Sequence, residues 1–214
     1  MSDLDIRTVT DDDLIEISRI HLAAFPESAL TKLGAEAVHR YYHWQLHGPH
    51  DCFAIATFGE NQTLGFCFGG VFRGALGGFL QKNKKFLFWR VLLRPWLLFN
   101  EIFRERLKTA FRSLRIFPTK KKVKKTSILS NPVSSFSILS IAVDPAIQTK
   151  GVGKVLMKAV EEEAIRQGYD RIHLTVHPSN TNAIQFYLRV GWIKNEEDPW
   201  AGVMYKILSA GELS

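Results

Sequence analysis

The sequence predicts a mixed α/β domain, a central sheet flanked by helices, and three observations carry that expectation. Strand-length apolar runs alternate with segments of helical spacing on both sides of the chain's middle. At 136–143 an apolar strand stops at Asp144-Pro145, crosses a short glycine-bearing loop and enters an amphipathic segment, the usual grammar of a strand-to-helix turn. Between these halves, residues 73–134 hold 16 Lys and Arg against only Glu101 and Glu105, whereas the remainder holds 12 basic and 19 acidic residues. A strongly basic segment is thus set into an acidic domain.

Taken in order, Thr10-Asp11-Asp12-Asp13 reads as a helix start, with Thr10 as N-cap and Asp13 reaching back to it. Leu14, Ile17, Ile20, His21 and Ala24 follow at helical spacing, giving a helix over about 11–24. A second helix is expected over 34–46, ended by Gly48-Pro49. Residues 53–58 and 64–72 read as two strands joined by a polar turn with Gly59 and Asn61. Then come a strand over 136–143, a helix over 151–167 closed by Gly168, a strand over 171–176, a helix over 180–190 and a last strand over 203–208.

A structureless connection of some 60 residues is rare in a compact domain, so the basic segment is expected to carry helices of its own. Its most apolar run, 86–99, is interrupted by Arg90, Arg94 and Pro95 and makes a poor transmembrane span. Further on, Phe103, Leu107, Ala110, Leu114 and Phe117 recur opposite Arg104, Lys108, Arg112 and Arg115, and Lys120-Lys121-Lys122-Val123-Lys124-Lys125 follows. Aromatic and leucine side chains against basic ones over 82–125 suit an anionic membrane surface. The same pattern also suits a helical hairpin packed on the protein's own core or on a second subunit in a homodimer. No recognisable reader of nucleic acid accompanies the charge, so nucleic acid is the weaker partner.

At 214 residues the chain has room for one domain plus an insertion. Cys52 and Cys67 show neither metal-ligand spacing nor a paired framework, so no metal is expected and both thiols should be reduced, as in the cytoplasm. The first residues are acidic and lack an apolar leader. The expected location is cytoplasmic, with the inner face of a membrane as the alternative that the basic segment allows.

The chemistry concentrates at Gln148-Thr149-Lys150-Gly151-Val152-Gly153-Lys154. The first N–H groups of a helix lack intrahelical partners and, with the helix dipole, attract phosphate oxygens. Glycines at 151 and 153 remove the Cβ atoms that would hold such a ligand away, while Lys150 and Lys154 add positive charge. Val155 stands where a P-loop requires a hydroxyl, and Leu156 where a dinucleotide-binding turn requires its third glycine. Both of those phosphate loops are excluded.

Gln148-x-x-Gly151-x-Gly153 after Val143-Asp144-Pro145 resembles the acyl-CoA signature of the GNAT superfamily of N-acetyltransferases. A second block agrees in register: Asn180, Ala183, Ile184, Phe186, Tyr187, Gly191 and Trp192. The resemblance implies a mixed, mostly antiparallel GNAT-like sheet in which 73–134 is an insertion between the third and fourth strands. It implies acetyl-CoA as acyl donor and a primary amine as acceptor. The diphosphate would sit on Gln148, Thr149, Lys150, Gly151, Val152, Gly153 and Lys154. Main-chain groups of Ile141, Ala142 and Val143 would meet the thioester oxygen and the pantetheine arm, Asn180 would bond the cofactor or hold its loop, and Tyr187 would be the general acid.

The base is open. Ser137 and Ser140 stand where some relatives carry a carboxylate, and His173, Thr175 and His177 alternate onto one strand face, where an imidazole can take the proton. Phe25 and Glu27, after the first helix, are candidates for holding a cationic acceptor. A small-molecule amine, such as an amino sugar or an envelope precursor, is the first expectation for that acceptor and a protein amine the second. A non-catalytic module that binds acyl-CoA or docks at a membrane is the competing class.

Overall fold

The computed structural model describes residues 4–59, 62–96, 135–147 and 151–209. Gln148, Thr149 and Lys150 lie outside the described residues, as do the expected basic helix from Phe103 and the lysine run at 120–125. The helices among the described residues are α1 (Leu14–Ala24), α2 (Ala29–Leu33), α3 (Ala35–His47), α4 (Ala75–Lys82), α5 (Lys84–Leu92), α6 (Val152–Arg166) and α7 (Thr181–Arg189). The chain divides into two compact units, one of Met1–Asp13, Asp51–Phe72 and Ser134–Ser214, the other of Leu14–His50 and Arg73–Val133.

The first unit is built on a seven-stranded sheet of β1 (Asp5–Thr8), β2 (Asp51–Gly59), β3 (Gln62–Val71), β4 (Phe136–Val143), β5 (Arg171–Thr175), β6 (Ile193–Lys194) and β7 (Val203–Ile207). Its order is β1-β2-β3-β4-β5-β7-β6, antiparallel throughout except for the parallel pair of β4 and β5. Helix α6 makes the crossover that a parallel pair requires. Its stripe of Val152, Leu156, Met157, Val160 and Ala164 is buried in one core with Cys67, Phe136, Ile172 and Leu174. Two glycines of β3 let the helix come this close: a Cβ on Gly69 would stand 2.6 Å from Val160 Cγ2, and one on Gly65 3.2 Å from Leu156 Cδ1. The far end of α6 closes as expected at Gly168, which takes φ +83° while the Gly168 and Tyr169 N–H groups return to Ile165 and Ala164.

The short elements β1, α2 and β6 are absent from the sequence-level expectation, because two to five residues cannot display a period. Pairing with β2 holds β1, and Arg7 clamps it to Asp13 with two hydrogen bonds of 2.7 Å. Asp13 also accepts the Thr10 N–H at 2.8 Å, the reciprocal half of the expected cap, although Asp11–Asp13 is a 3-10 turn ahead of α1. Burial by itself raises the Asp13 pKa, but the Arg7 guanidinium and the Thr10 donors outweigh it and hold the carboxyl below its ordinary value.

In the second unit α1 packs on α3, and α3 carries α4 through Trp44 Nε1, which donates to the Ala75 carbonyl at 2.7 Å, and through a Tyr41–Phe79 edge contact. His21 is buried against α3, its Nδ1 2.8 Å from the Tyr42 hydroxyl and its Nε2 3.3 Å from Ser28 Oγ. Burial depresses its pKa to about 4. The folded protein therefore resists a proton that the unfolded chain accepts near 6.5, so this group removes stability as pH falls. Between about pH 6.5 and pH 4 unfolding free energy should drop by up to ~1.4 kcal/mol per pH unit in urea titrations. A His21→Gln variant should flatten that slope, and an unchanged slope would assign it to another group.

Candidate functional site

The sheet opens at the parallel junction of β4 and β5. From Phe136 to Ile138, β4 pairs with Ile172 to Leu174 of β5, and there the pairing stops. Strand β5 continues to Thr175 against Val203 of β7, while β4 continues to Val143 against Gly65 of β3. The divergence begins at a β-bulge: Phe68 faces Ser140 and Gly69 faces Ile138, so Leu139 has no partner on β3. Beyond it, no strand among the described residues bonds the β5 side of β4.

Strand alternation identifies the exposed groups. The Asp144 N–H donates to the Leu64 carbonyl on β3 at 2.8 Å, so the amides of Ile141 and Val143 point the other way, toward the opening. Ala142 differs from the expectation for this trio: its amide is turned to β3 and its side chain is buried, so it supplies no free N–H.

At the end of the open edge the chain turns through Pro145–Ile147, with Asp144 Oδ1 accepting the Ala146 N–H at 3.0 Å, and re-enters described structure at Gly151. Gly151 is the N-cap of α6 at φ +82°, a left-handed conformation that favours glycine, and among the described residues nothing lies within 4 Å of where its Cβ would point. The Lys154 and Val155 N–H groups bond the Gly151 carbonyl, which leaves the Val152 and Gly153 amides as the unbonded first turn among the described residues. A Cβ on Gly153 would touch Phe186 at 3.5 Å and Val143 at 3.6 Å, ordinary contact distances. Internal packing thus does not demand glycine there, and the missing side chain leaves space over the amides. Lys154 is exposed beside this turn.

Helix α7 completes the site. Asn180 caps it, Oδ1 accepting the Ala183 N–H at 3.1 Å, so its amide is committed at least in part to the fold. Phe186 and Val143 both border Gly153, and Tyr187 turns into the core beside Phe186, Trp192 and Cys67. Cys67 is the β3 residue opposite Ile141, so the phenol stands next to the strand pair that carries the open edge. Burial, with the neighbouring Cys67 thiol, pushes the Tyr187 pKa up, and no described residue hydrogen-bonds its hydroxyl. Tyr187 is therefore a protonated, uncommitted donor at neutral pH.

A clamp that sequence reasoning misses positions this ring. Trp192 Nε1 donates to Glu161 Oε1 at 2.9 Å, and Lys206 Nζ donates to Glu161 Oε2 at 2.8 Å, tying the exit of α7 and strand β7 to α6. Its signal was present as a carboxylate on the otherwise apolar stripe of α6, four residues after Met157.

His173 sits between Ser137 and Tyr205, half-buried, with strand alternation turning it to the sheet face opposite Ile172, Leu174 and Tyr187. Burial lowers its pKa, and a bond to the Phe136 backbone opposes that only in part. His177 is exposed, with Nδ1 2.7 Å from Ser179 Oγ and accepting the Ser179 N–H at 3.3 Å, which shapes the turn into α7. Phe25 and Glu27 belong to the other unit, where Phe25 packs on His21 and Glu27 pairs with Lys32 Nζ at 2.7 Å. Both cysteines are free thiols, and burial pushes Cys52 up to about 12.

These features have counterparts in known proteins. A model described as the acetyltransferase (GNAT) family matches residues 114–192. A mycothiol acetyltransferase of Jonesia denitrificans is 36% identical over 62 residues, which is 29% of this chain and 20% of that protein, so the match spans about a fifth of the relative's length. The PaiA N-acetyltransferase of Thermoplasma acidophilum, crystallised with coenzyme A, superposes with a TM-score of 0.56 at 13% identity, covering 96% of this chain and 99% of that one. The ribosomal-protein-S18-alanine N-acetyltransferase of Escherichia coli does so with a TM-score of 0.54 at 16% identity and 99% coverage of both chains. The family match covers the split parallel junction and the glycine-started helix, so residues 114–192 are similar to the GNAT acetyltransferase family and the fold is the one seen in acetyltransferase structures.

Proposed function

We propose that this protein moves an acetyl group from acetyl-CoA to a primary amine of a small molecule by direct attack. The observation that carries this reading is the open edge of β4, whose Ile141 and Val143 amides lead straight to the unbonded, glycine-cleared first turn of α6. An extended arm can add to such an edge as a short strand, and a diphosphate suits the helix start. The residues present fit the donor: the space at Gly151, open among the described residues, suits a close-lying phosphate, and the exposed Lys154 adds charge.

When bound, acetyl-CoA supplies an activated thioester. An edge amide of Ile141 or Val143 then stabilises charge on the carbonyl oxygen as the amine adds. Tyr187, kept protonated by burial, gives its proton to the departing thiolate as the carbon–sulfur bond breaks and the amide bond forms. His173, neutral because burial lowers its pKa, removes the amine proton directly or through water. The likeness to a mycothiol acetyltransferase favours a small acceptor over a protein amine.

Release of free CoA thiol across a panel of amines tests the reaction itself. Turnover should appear with a small primary amine; turnover only with a protein N-terminus would move the reading to a protein acceptor, and donor binding without turnover on any amine would make the protein a binding module. Tyr187→Phe should lower kcat by about a hundredfold or more while leaving affinity for acetyl-CoA nearly unchanged. A normal rate in that variant removes the acid role. For the base, kcat/KM should rise with pH along a limb below the ordinary imidazole value of about 6.5, and His173→Ala should abolish that limb. A limb that survives the substitution belongs to another group.

A further inference from the structure

Helix α5 and the residues just after it are inverted with respect to water. Phe88, Trp89, Leu92, Leu93 and Trp96 are 54–67% exposed. The same stretch turns its two arginines inward: Arg94 Nη1 donates to the Lys32 carbonyl at 3.0 Å, and Arg90 is half-buried over Phe86, its Nε shielded from water and without a partner among the described residues. A helix that hides guanidinium groups and presents two indoles and three other large apolar side chains has its outward face made for a non-aqueous neighbour.

Charge selects that neighbour. Residues 73–96 contain six Lys and Arg and no carboxylate. Lys84 and Lys85 are exposed at the start of α5, and among the described residues neither has an acidic partner. A second copy seated face to face would set these lysines against their own equivalents with no carboxylate in the stretch to answer them, whereas an anionic headgroup layer offers them negative charge at the level where indole rings settle. At 1.5 Å per residue the nine residues of α5 extend about 14 Å, well short of a hydrocarbon core of about 30 Å. No helix among the described residues is long and apolar enough to cross a membrane.

We propose that the outward face of α5, Phe88, Trp89, Leu92, Leu93 and Trp96 with Lys84 and Lys85 beside them, seats on the surface of an anionic lipid bilayer and lies within the interface without crossing it. This goes beyond acetyl transfer and stands or falls separately from it. Full-length protein should co-sediment with vesicles of phosphatidylcholine and phosphatidylglycerol, less with phosphatidylcholine alone, and less at high salt. Brominated lipid should quench its tryptophan fluorescence, and Trp89→Phe with Trp96→Phe should bind vesicles yet lose that quenching. Trp89→Ser with Trp96→Ser should weaken partitioning by about tenfold or more while thermal unfolding and thiol release in solution stay unchanged. Lys84→Glu with Lys85→Glu, both at exposed sites, should erase the preference for anionic vesicles. The proposal is overturned by failure to sediment with either vesicle, by equal binding of the serine variant, or by a dimer that the serine substitutions dissociate while no vesicle binding is seen.

Discussion

Everything in the site depends on one mismatch in hydrogen bonding, the point where β4 and β5 cease to pair. A parallel pair inside a sheet ordinarily satisfies every amide along its length, and here an extra residue at Leu139 rotates β4 out of step so that its last residues bond β3 alone. Unpaired amides inside a folded domain are costly unless water or a ligand meets them, and that makes the opening a place for a partner with hydrogen-bond acceptors. The crossover helix then begins where the open edge ends, so two kinds of unbonded amide, from a strand and from a helix start, follow each other along the chain. That succession is what supports the proposed binding of acetyl-CoA there.

Packing keeps that cradle in shape. Gly65 and Gly69 let α6 lie close to β3, and the Glu161 carboxylate, bonded by Trp192 and Lys206, fixes the helix relative to α7 and β7. The result sets Phe186 beside Gly153 and turns Tyr187 into the core beside Cys67. The burial that anchors the phenol also prevents its ionisation, so one physical cause gives both position and protonation state. His173 lies on the opposite sheet face, in the stretch where β5 still pairs with β4, so the acid and base candidates sit on different faces of the sheet.

Much of this was readable beforehand where local chemistry decides structure. Strand β4 spans the residues that the apolar run and its proline indicate, and α6 starts at the glycine whose conformation only a cap explains. Gly168 and Asn180 likewise announce their roles by residue type. What the sequence hid is non-local. Neither the bulge at Leu139 nor the choice between Ile141 or Val143 and Ala142 can be read from one strand, because both depend on register with β3. The Glu161 clamp joins residues 31 and 45 positions apart, and the outward turn of Trp89 and Trp96 depends on which side of α5 its own unit covers.

The most direct measurement is amide hydrogen exchange with and without coenzyme A, resolved to single residues by NMR. Slower exchange is predicted at Ile141, Val143, Val152 and Gly153 when coenzyme A is added, with the Ala142 amide protected already in its absence by the ladder with β3. Unchanged exchange at those four amides at saturating coenzyme A, or protection confined to another part of the chain, would contradict the account.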